Sequence, residues 1–168
     1  MAERPSRLWK HMPAEKRLAA AEAFWRDDQG DIAMQHMDAM ASIARRLNFR
    51  AKSVQALSVE RKAKHLSQIS DVSDAVATRA LIAYHFTTKR ELMAAFLDAL
   101  GIQHDGGLIN EETMPAPPKD KLTAAIATLR SSFPVEDVDL YLRTLSTLDG
   151  DTWGDVEAAM GQPAQSEG

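Results

Sequence analysis

The sequence contains no cysteine, and aromatic residues make up only 6% of its 168 positions. Without cysteine the chain has no disulfide, no thiolate metal ligand and no cysteine nucleophile, which fits a reducing compartment. It also lacks a long apolar run, because Asp98 interrupts the most apolar stretch, residues 92–100. The first ten residues carry charge with no apolar segment after them. We therefore expect a cytoplasmic protein with no membrane partner.

Helix-forming residues dominate what is present, and no stretch alternates apolar and polar residues long enough to indicate a strand. This pattern predicts an all-α fold of about eight short to medium helices. Ser58 and Ser73 are predicted to cap helix N-termini, and Gly101 is predicted to end a helix with positive φ. The helix before Gly101 is apolar around most of its circumference, which predicts a place at the centre of the core. Its apolar residues are Leu92, Met93, Phe96, Leu97 and Leu100.

Proline marks the predicted division of the chain. Three prolines within residues 115–118 indicate a stiff, extended connector. We predict a helical core domain at 1–110, the Pro-rich connector at 111–118, an acidic helical C-terminal unit at 119–161 and a disordered tail at 162–168. The C-terminal unit is too small to bury its two apolar stripes alone, so it must pack on the core, on a copy of itself or on a partner.

Charge is distributed unevenly around a formal net value of −4. Residues 45–65 hold seven basic side chains and one acidic, whereas residues 98–168 hold four basic and thirteen acidic. The seven, called the basic block below, are Arg45, Arg46, Arg50, Lys52, Arg61, Lys62 and Lys64.

Two interpretations of the basic block stay open. It forms a site for a polyanion such as RNA, DNA or an acidic protein, or it faces solvent and the acidic C-terminal third of the same molecule. We favour the second, because the pI is about 5.7. The block also contains a single aromatic residue, Phe49, which gives little support for base stacking.

One segment carries a family resemblance. Residues 75–100 read AVATRALIAYHFTTKRELMAAFLDAL. The run Tyr84-His85-Phe86, followed by Lys89, Glu91 and Leu92, resembles the end of the DNA-binding motif of TetR-type repressors. There, a recognition helix ends in a similar aromatic-His-Phe run and the next helix opens with a lysine. The resemblance covers about 26 of 168 residues, and it implies a helix-turn-helix with nucleic acid as partner.

The same segment departs from the family pattern at several points. Val76 stands where the turn has a glycine, and Ala80 alone supplies the small residue of the recognition helix. Arg79 is the single basic residue of that helix, and the segment begins more than seventy residues into the chain. We therefore do not assign the chain to this family, and nucleic-acid binding is retained as an alternative through residues 45–65.

No arrangement of residues specifies a catalytic centre, a cofactor site or a metal site. The five histidines, His11, His36, His65, His85 and His104, form neither HExxH nor ExxH pairs, so the helical zinc and di-iron signatures are missing. His104 and Asp105 beside Gly106 and Gly107 are the most site-like group, because glycine allows a ligand close to the backbone. We interpret them as ordinary turn residues. An enzyme with a site near His104 is kept as a further alternative.

Methionine supplies the candidate protein interface. Met34, Met37 and Met40 recur every three residues, and the thioether side chain adapts to varied contacts. We predict Met37 and Met40 to lie in the core, and name Met34 and Trp153 as candidate interface residues. The sequence thus predicts a small helical interaction or regulatory protein that acts through binding surfaces rather than catalysis. Its expected partner is another protein or a second copy of the chain.

Overall fold

The computed structural model describes residues 4–30, 32–109 and 117–161, and it confirms the all-α class. These ranges contain ten helices rather than about eight. They are α1 (Pro5–His11), α2 (Ala14–Arg26), α3 (Ile32–Leu47), α4 (Ala51–Gln55), α5 (Val59–Ser67), α6 (Asp74–Thr88), α7 (Arg90–Leu100), α8 (Lys119–Ser132), α9 (Val135–Leu148) and α10 (Gly150–Met160). None of them is long and apolar enough to cross a membrane.

The two helices that the sequence did not reveal are α1 and α4. Helix α1 begins at Pro5, whose fixed φ suits the first helical turn, and it buries Leu8 and Trp9. Helix α4 has five residues, and its Val54 is completely buried. One or two turns repeat an apolar position too few times to produce a helical period, so both helices escape a search for periodicity.

The predicted helix ends are confirmed. The Ser58 hydroxyl accepts a hydrogen bond from the Arg61 amide at 3.2 Å, and the Ser73 hydroxyl accepts one from the Val76 amide at 3.2 Å. Each satisfies an amide that has no partner within its helix. Gly101 follows α7 with φ of 72°, the left-handed conformation that glycine adopts without steric cost.

The chain divides into two compact units, one spanning residues 4–87 and the other beginning at Thr88. In the first unit α2 packs against α5, and α3 packs against α4 and α5. In the second, α7 packs against α8, while α10 packs against α8 and α9. The Phe96 ring lies 5.7 Å from the Tyr141 ring and 5.8 Å from the Trp153 ring, so α7, α9 and α10 share one aromatic cluster.

Helix α7 belongs to the second unit, although the predicted core domain 1–110 includes it. All five apolar residues that the sequence predicted for the core are buried in α7, which confirms its central position. Helix α7 packs against α8 of the same unit. Residues 110–116, most of the predicted connector, lie outside the described ranges, as does the predicted disordered tail at 162–168. The connector and the tail therefore stay predictions.

The assignment of Met37 to the core is wrong, because 66% of its surface is exposed. The buried face of α3 follows Ile32, Ala39 and Ile43. At about 100° per residue, Met37 projects roughly 140° away from that line. Met40 lies nearer to the buried face and is half-buried. A three-residue methionine repeat drifts around a helix of 3.6 residues per turn, so its members cannot all face one side.

Candidate functional site

The basic block lies on three helices of the unit 4–87. Arg45 and Arg46 end α3, Arg50 and Lys52 mark the start of α4, and Arg61, Lys62 and Lys64 lie in α5. Six of the seven side chains are exposed. Lys62 is half-buried, with its ammonium group 5.0 Å from the centre of the Trp25 ring in a cation–π contact. Helix α3 packs against both α4 and α5, so a run of sequence becomes a basic surface.

No described carboxylate of the same unit forms an ion pair with any of the seven. Glu60, the one acidic residue among them, pairs with Arg26 instead at 3.1 Å. The charge of the whole chain also follows its division into units. Residues 4–87 hold 14 basic and 9 acidic side chains, net +5, whereas residues 88–168 hold 6 and 14, net −8. The first unit is therefore net basic and the second net acidic.

Two clefts extend this basic surface toward α1. One, the α3 cleft, has a volume of about 320 Å³ and is lined by Arg45 and Arg46. The other, the α1 cleft, measures about 420 Å³ and is lined by Arg7, Lys10 and His11. Ser70 and Asp71 line both clefts, so the two clefts adjoin at these residues. Sequence reasoning missed the second cleft, because its basic residues lie about 35 positions before the basic block and are diluted by nearby acids.

Hydrogen bonds hold the segment 69–74, which includes Ser70 and Asp71, to α1 and α3. The buried Trp9 indole N–H donates to the Ile69 carbonyl at 2.8 Å. The Ser73 hydroxyl donates to the Asp38 carboxylate at 2.7 Å. At the end of the segment the Asp74 carboxylate accepts the amide N–H of residue 6 at 3.1 Å. The clefts therefore sit between anchored elements.

Replacing Asp74 with asparagine should remove a pH-dependent part of the stability. A side-chain hydrogen bond from Ser6 and then a backbone one lower the pKa of Asp74 from its usual 3.8, and the charge of Arg4 adds to the effect. Because the folded pKa is depressed, this stabilisation is complete above the unfolded value and is lost as the pH falls through the folded one. Unfolding free energies measured from pH 2 to 7 should thus fall less steeply below pH 4 in Asp74→Asn than in the parent protein.

Ser6→Ala is the matched control for that measurement. It removes the side-chain hydrogen bond and keeps the amide of residue 6, so its pH profile should fall between those of the parent and Asp74→Asn. Identical acid limbs for all three proteins would show that the Ser6 contacts do not stabilise the charged carboxylate.

His104, the basis of the enzyme alternative, has both ring nitrogens engaged. Nδ1 lies 3.0 Å from the Gly107 amide, which can only donate. Nδ1 is therefore the acceptor, and Nε2 carries the proton toward the Asp98 carboxylate at 2.7 Å. These contacts close a turn in which Gly106 and Gly107 have φ of 58° and 94°. His104 therefore stabilises this turn through hydrogen bonds of both ring nitrogens. The described residues also contain no group of three or more His, Asp or Glu placed to hold a metal ion.

The segment that resembles a DNA-binding motif spans two helices, and its part before Lys89 forms one continuous helix, α6, with no turn at Val76. Helix α6 buries most of its surface, including Val76, Ala80 and Tyr84. Its single basic residue, Arg79, donates to the Gln29 carbonyl at 2.9 Å and lies 3.4 Å from the Asp27 carboxylate. Helix α5, which precedes it, packs chiefly against α2. A recognition helix instead presents an exposed face to the major groove, so the resemblance in sequence does not extend to the geometry.

The two candidate interface residues have opposite environments. Met34 is 70% exposed, the largest exposure among the bulky apolar residues, and Met37 is close behind. Trp153 is only 3% exposed and belongs to the aromatic cluster with Phe96. The structure therefore leaves Met34 at the surface and places Trp153 in the core of its own unit.

Comparisons with known proteins give no family and no function for this chain. The sequence matches no family model, and comparison with curated proteins and with solved structures gives no significant match.

Proposed function

We propose that the protein is a helical interaction protein that binds an acidic protein surface through the outer face of α3, and that a second copy of the chain supplies this surface. The carrying observation is the exposure of Met34 and Met37, 70% and 66%, on a helix whose opposite face is buried. Neighbouring exposed methionines form an adaptable apolar contact, and apolar groups surrounded by polar ones are typical of protein interfaces.

The outer face of α3 combines apolar contact with positive charge. Met34, Met37, Ala41 and Arg45 project within about 80° of one another at 100° per residue. Ala41 is small and half-buried. Arg45 is exposed and makes no ion pair with a described carboxylate of its unit. A partner that fits this face offers apolar side chains together with carboxylates.

The chain carries such a partner surface itself. The unit that begins at Thr88 has a net charge of −8, and α9 opens with Val135, 48% exposed, followed by the exposed Glu136. Contact between unlike units of two copies is heterologous, so it either closes into a ring or propagates. Ion pairing across the contact would weaken as salt is added, because exposed charges are screened over about 10 Å at 0.1 M.

Sedimentation velocity of the full chain over a wide concentration range tests this proposal. Larger species should form at low salt and dissociate at high salt. The double variant Met34→Gln/Met37→Gln should weaken association at least tenfold while leaving the helical circular dichroism unchanged, since glutamine is also a good helix former.

Leu108→Gln is the matched control, because it removes an exposed apolar side chain, 47% exposed, that belongs to the other unit. It should associate like the parent. A chain that stays monomeric at every concentration and salt level would contradict the proposal. Association that is untouched by the methionine variant would contradict the role of the α3 face.

A further inference from the structure

We propose that His104 forms a pH-sensitive latch, which holds the turn 104–107 on α7 while its imidazole ring is neutral and releases the turn when the ring is protonated. The turn belongs to the unit that begins at Thr88, so the latch is separate from the α3 face and goes beyond the self-association proposed above. Two observations carry it: the hydrogen bonds at both ring nitrogens, and the packing of Gly107 on α7.

The closed turn requires a neutral imidazole at Nδ1. This atom lies 3.0 Å from the Gly107 nitrogen, and a backbone amide donates but cannot accept. Nδ1 must therefore keep its lone pair, which an imidazolium ring lacks because both of its nitrogens carry protons. A proton on Nδ1 would place two donors opposite each other. Gly107 is buried, so its amide would lose this bond at a site with little access to water.

The hydrogen bond at Nε2 does not offset that loss. Nε2 lies 2.7 Å from the Asp98 carboxylate, and it carries a proton in the neutral ring and in the charged ring alike. Protonation therefore adds only the attraction of an ion pair. The Asp98 side chain is 74% exposed, so water and salt screen this attraction. Because the loss is buried and the gain is exposed, protonation of His104 favours the open turn.

The other charged groups around the turn oppose one another. Arg90 of α7 donates from Nε to a carbonyl of the turn at 2.9 Å, and Lys121 of α8 places its ammonium group near the end of α7. These two cations disfavour a positive charge on His104, whereas Asp98 and the exposed Asp105 favour it. The pH response therefore depends mainly on the hydrogen bond at Nδ1 rather than on the net charge nearby.

The turn covers an apolar part of α7. Gly107 lies against Met93, since a Cβ added to Gly107 would be 3.1 Å from the Met93 Cβ. The positive φ values of Gly106 and Gly107, 58° and 94°, allow the backbone to approach this closely. Met93 is only 5% exposed with the turn in place. Opening of the turn would uncover Met93, so the latch makes the exposure of this apolar surface dependent on pH.

Hydrogen exchange of the Gly107 amide, followed by NMR on the full chain at pH 7.5 and 5.0, tests the latch. A histidine in water takes up its proton near pH 6.5, and one proton bound on opening raises the ratio of open to closed turn about tenfold per pH unit below that value. The closed turn binds fewer protons, so its stability is lost as the pH falls. The protection factor of Gly107, which corrects for the intrinsic pH dependence of exchange, should therefore fall roughly thirtyfold.

The Gly101 amide is the internal control. It donates to the Asp98 carbonyl at 3.1 Å at the end of α7 and makes no use of the imidazole ring. Its protection factor should stay the same at both pH values. A parallel fall at Gly101 would mean that α7 itself frays in acid, and an unchanged protection factor at Gly107 would mean that the turn tolerates the charged ring. Either result would overturn the latch.

Two substitutions of His104 separate the roles of the ring nitrogens. Asparagine places its side-chain oxygen near the position of Nδ1 and stays neutral, so His104→Asn should keep Gly107 protected at both pH values. Glutamine reaches toward the position of Nε2 instead, so His104→Gln should leave Gly107 poorly protected at both. A pH response that persists in His104→Asn, or full protection in His104→Gln, would contradict the assignment of the switch to Nδ1.

Asp98→Asn distinguishes the hydrogen bond from the ion pair. It keeps an acceptor for Nε2 and removes the negative charge, so the fall in Gly107 protection should persist. A pH response that disappears in Asp98→Asn would show that the carboxylate is the switch and would overturn the latch as proposed.

Oxidation of Met93 by dilute hydrogen peroxide measures the uncovered surface, because exposure determines how fast a methionine is oxidised. Peptide mass spectrometry should find faster oxidation of Met93 at pH 5.0 than at pH 7.5 in the parent, and equal rates in His104→Asn. Equal rates in the parent would contradict the uncovering of Met93. Met34→Gln/Met37→Gln should keep the Gly107 response, so failure of the self-association proposal would leave the latch standing.

Discussion

Replacing Trp9 with alanine should lower the unfolding free energy of the unit 4–87 by about 3–5 kcal/mol. The side chain is completely buried, so its removal leaves a large cavity. The change also deletes the 2.8 Å hydrogen bond to the Ile69 carbonyl, which is then left without its indole partner. Urea unfolding followed by circular dichroism measures the loss.

Trp9→Phe separates the two contributions. It keeps most of the apolar volume and loses the indole N–H, so we expect it to cost about 1–3 kcal/mol. A Trp9→Ala protein within 1 kcal/mol of the parent would mean that α1 contributes little to the unit.

Replacing Phe96 with alanine should have a comparable effect, about 3–5 kcal/mol, on the other unit. Phe96 is completely buried in α7 and its ring contacts those of Tyr141 in α9 and Trp153 in α10. The edge-to-face contact with Tyr141 adds about 0.5–1.5 kcal/mol to the area that is buried. Three helices therefore lose packing together.

The indole N–H resonance of Trp153 provides a local readout for this change. The chain has three tryptophans, and Trp9 and Trp25 lie in the unit 4–87. On addition of urea, the Trp153 resonance should leave its folded position earlier in Phe96→Ala than in the parent. Phe96→Leu, which keeps an apolar side chain of smaller volume, should fall between the two proteins. An unchanged Trp153 transition would contradict the proposed centre of the second unit.

Local signals explain what the sequence could predict. Ser58, Ser73 and Gly101 act on amides and carbonyls within a few residues, so their roles can be derived from the neighbouring sequence alone. Helix α7 was predictable for a similar reason, because a helix that is apolar on every side has no face suited to water. The exposure of Met37 was harder to predict from the sequence, because it depends on which face of α3 the rest of the unit covers.

The candidate site depends on contacts between distant residues. Trp9 and Ile69 are 60 positions apart, and their hydrogen bond brings α1 beside the segment 69–74. The sequence around neither residue predicts this pairing, because a tryptophan in a two-turn helix and an isoleucine in a connecting segment could each pack against many other residues. The basic block could be recognised as a cluster of charge, but its extension to Arg7 and Lys10 required the fold.

The division of charge between the units has a consequence for how the chain behaves in bulk. A formal charge of −4 and a pI of about 5.7 describe a weakly acidic protein. A cation-exchange resin can instead bind the unit 4–87, net +5, and an anion-exchange resin can bind residues 88–168, net −8. At neutral pH the chain should therefore be retained by both resins. Its elution from either should be governed by the ionic character of one half rather than by the isoelectric point.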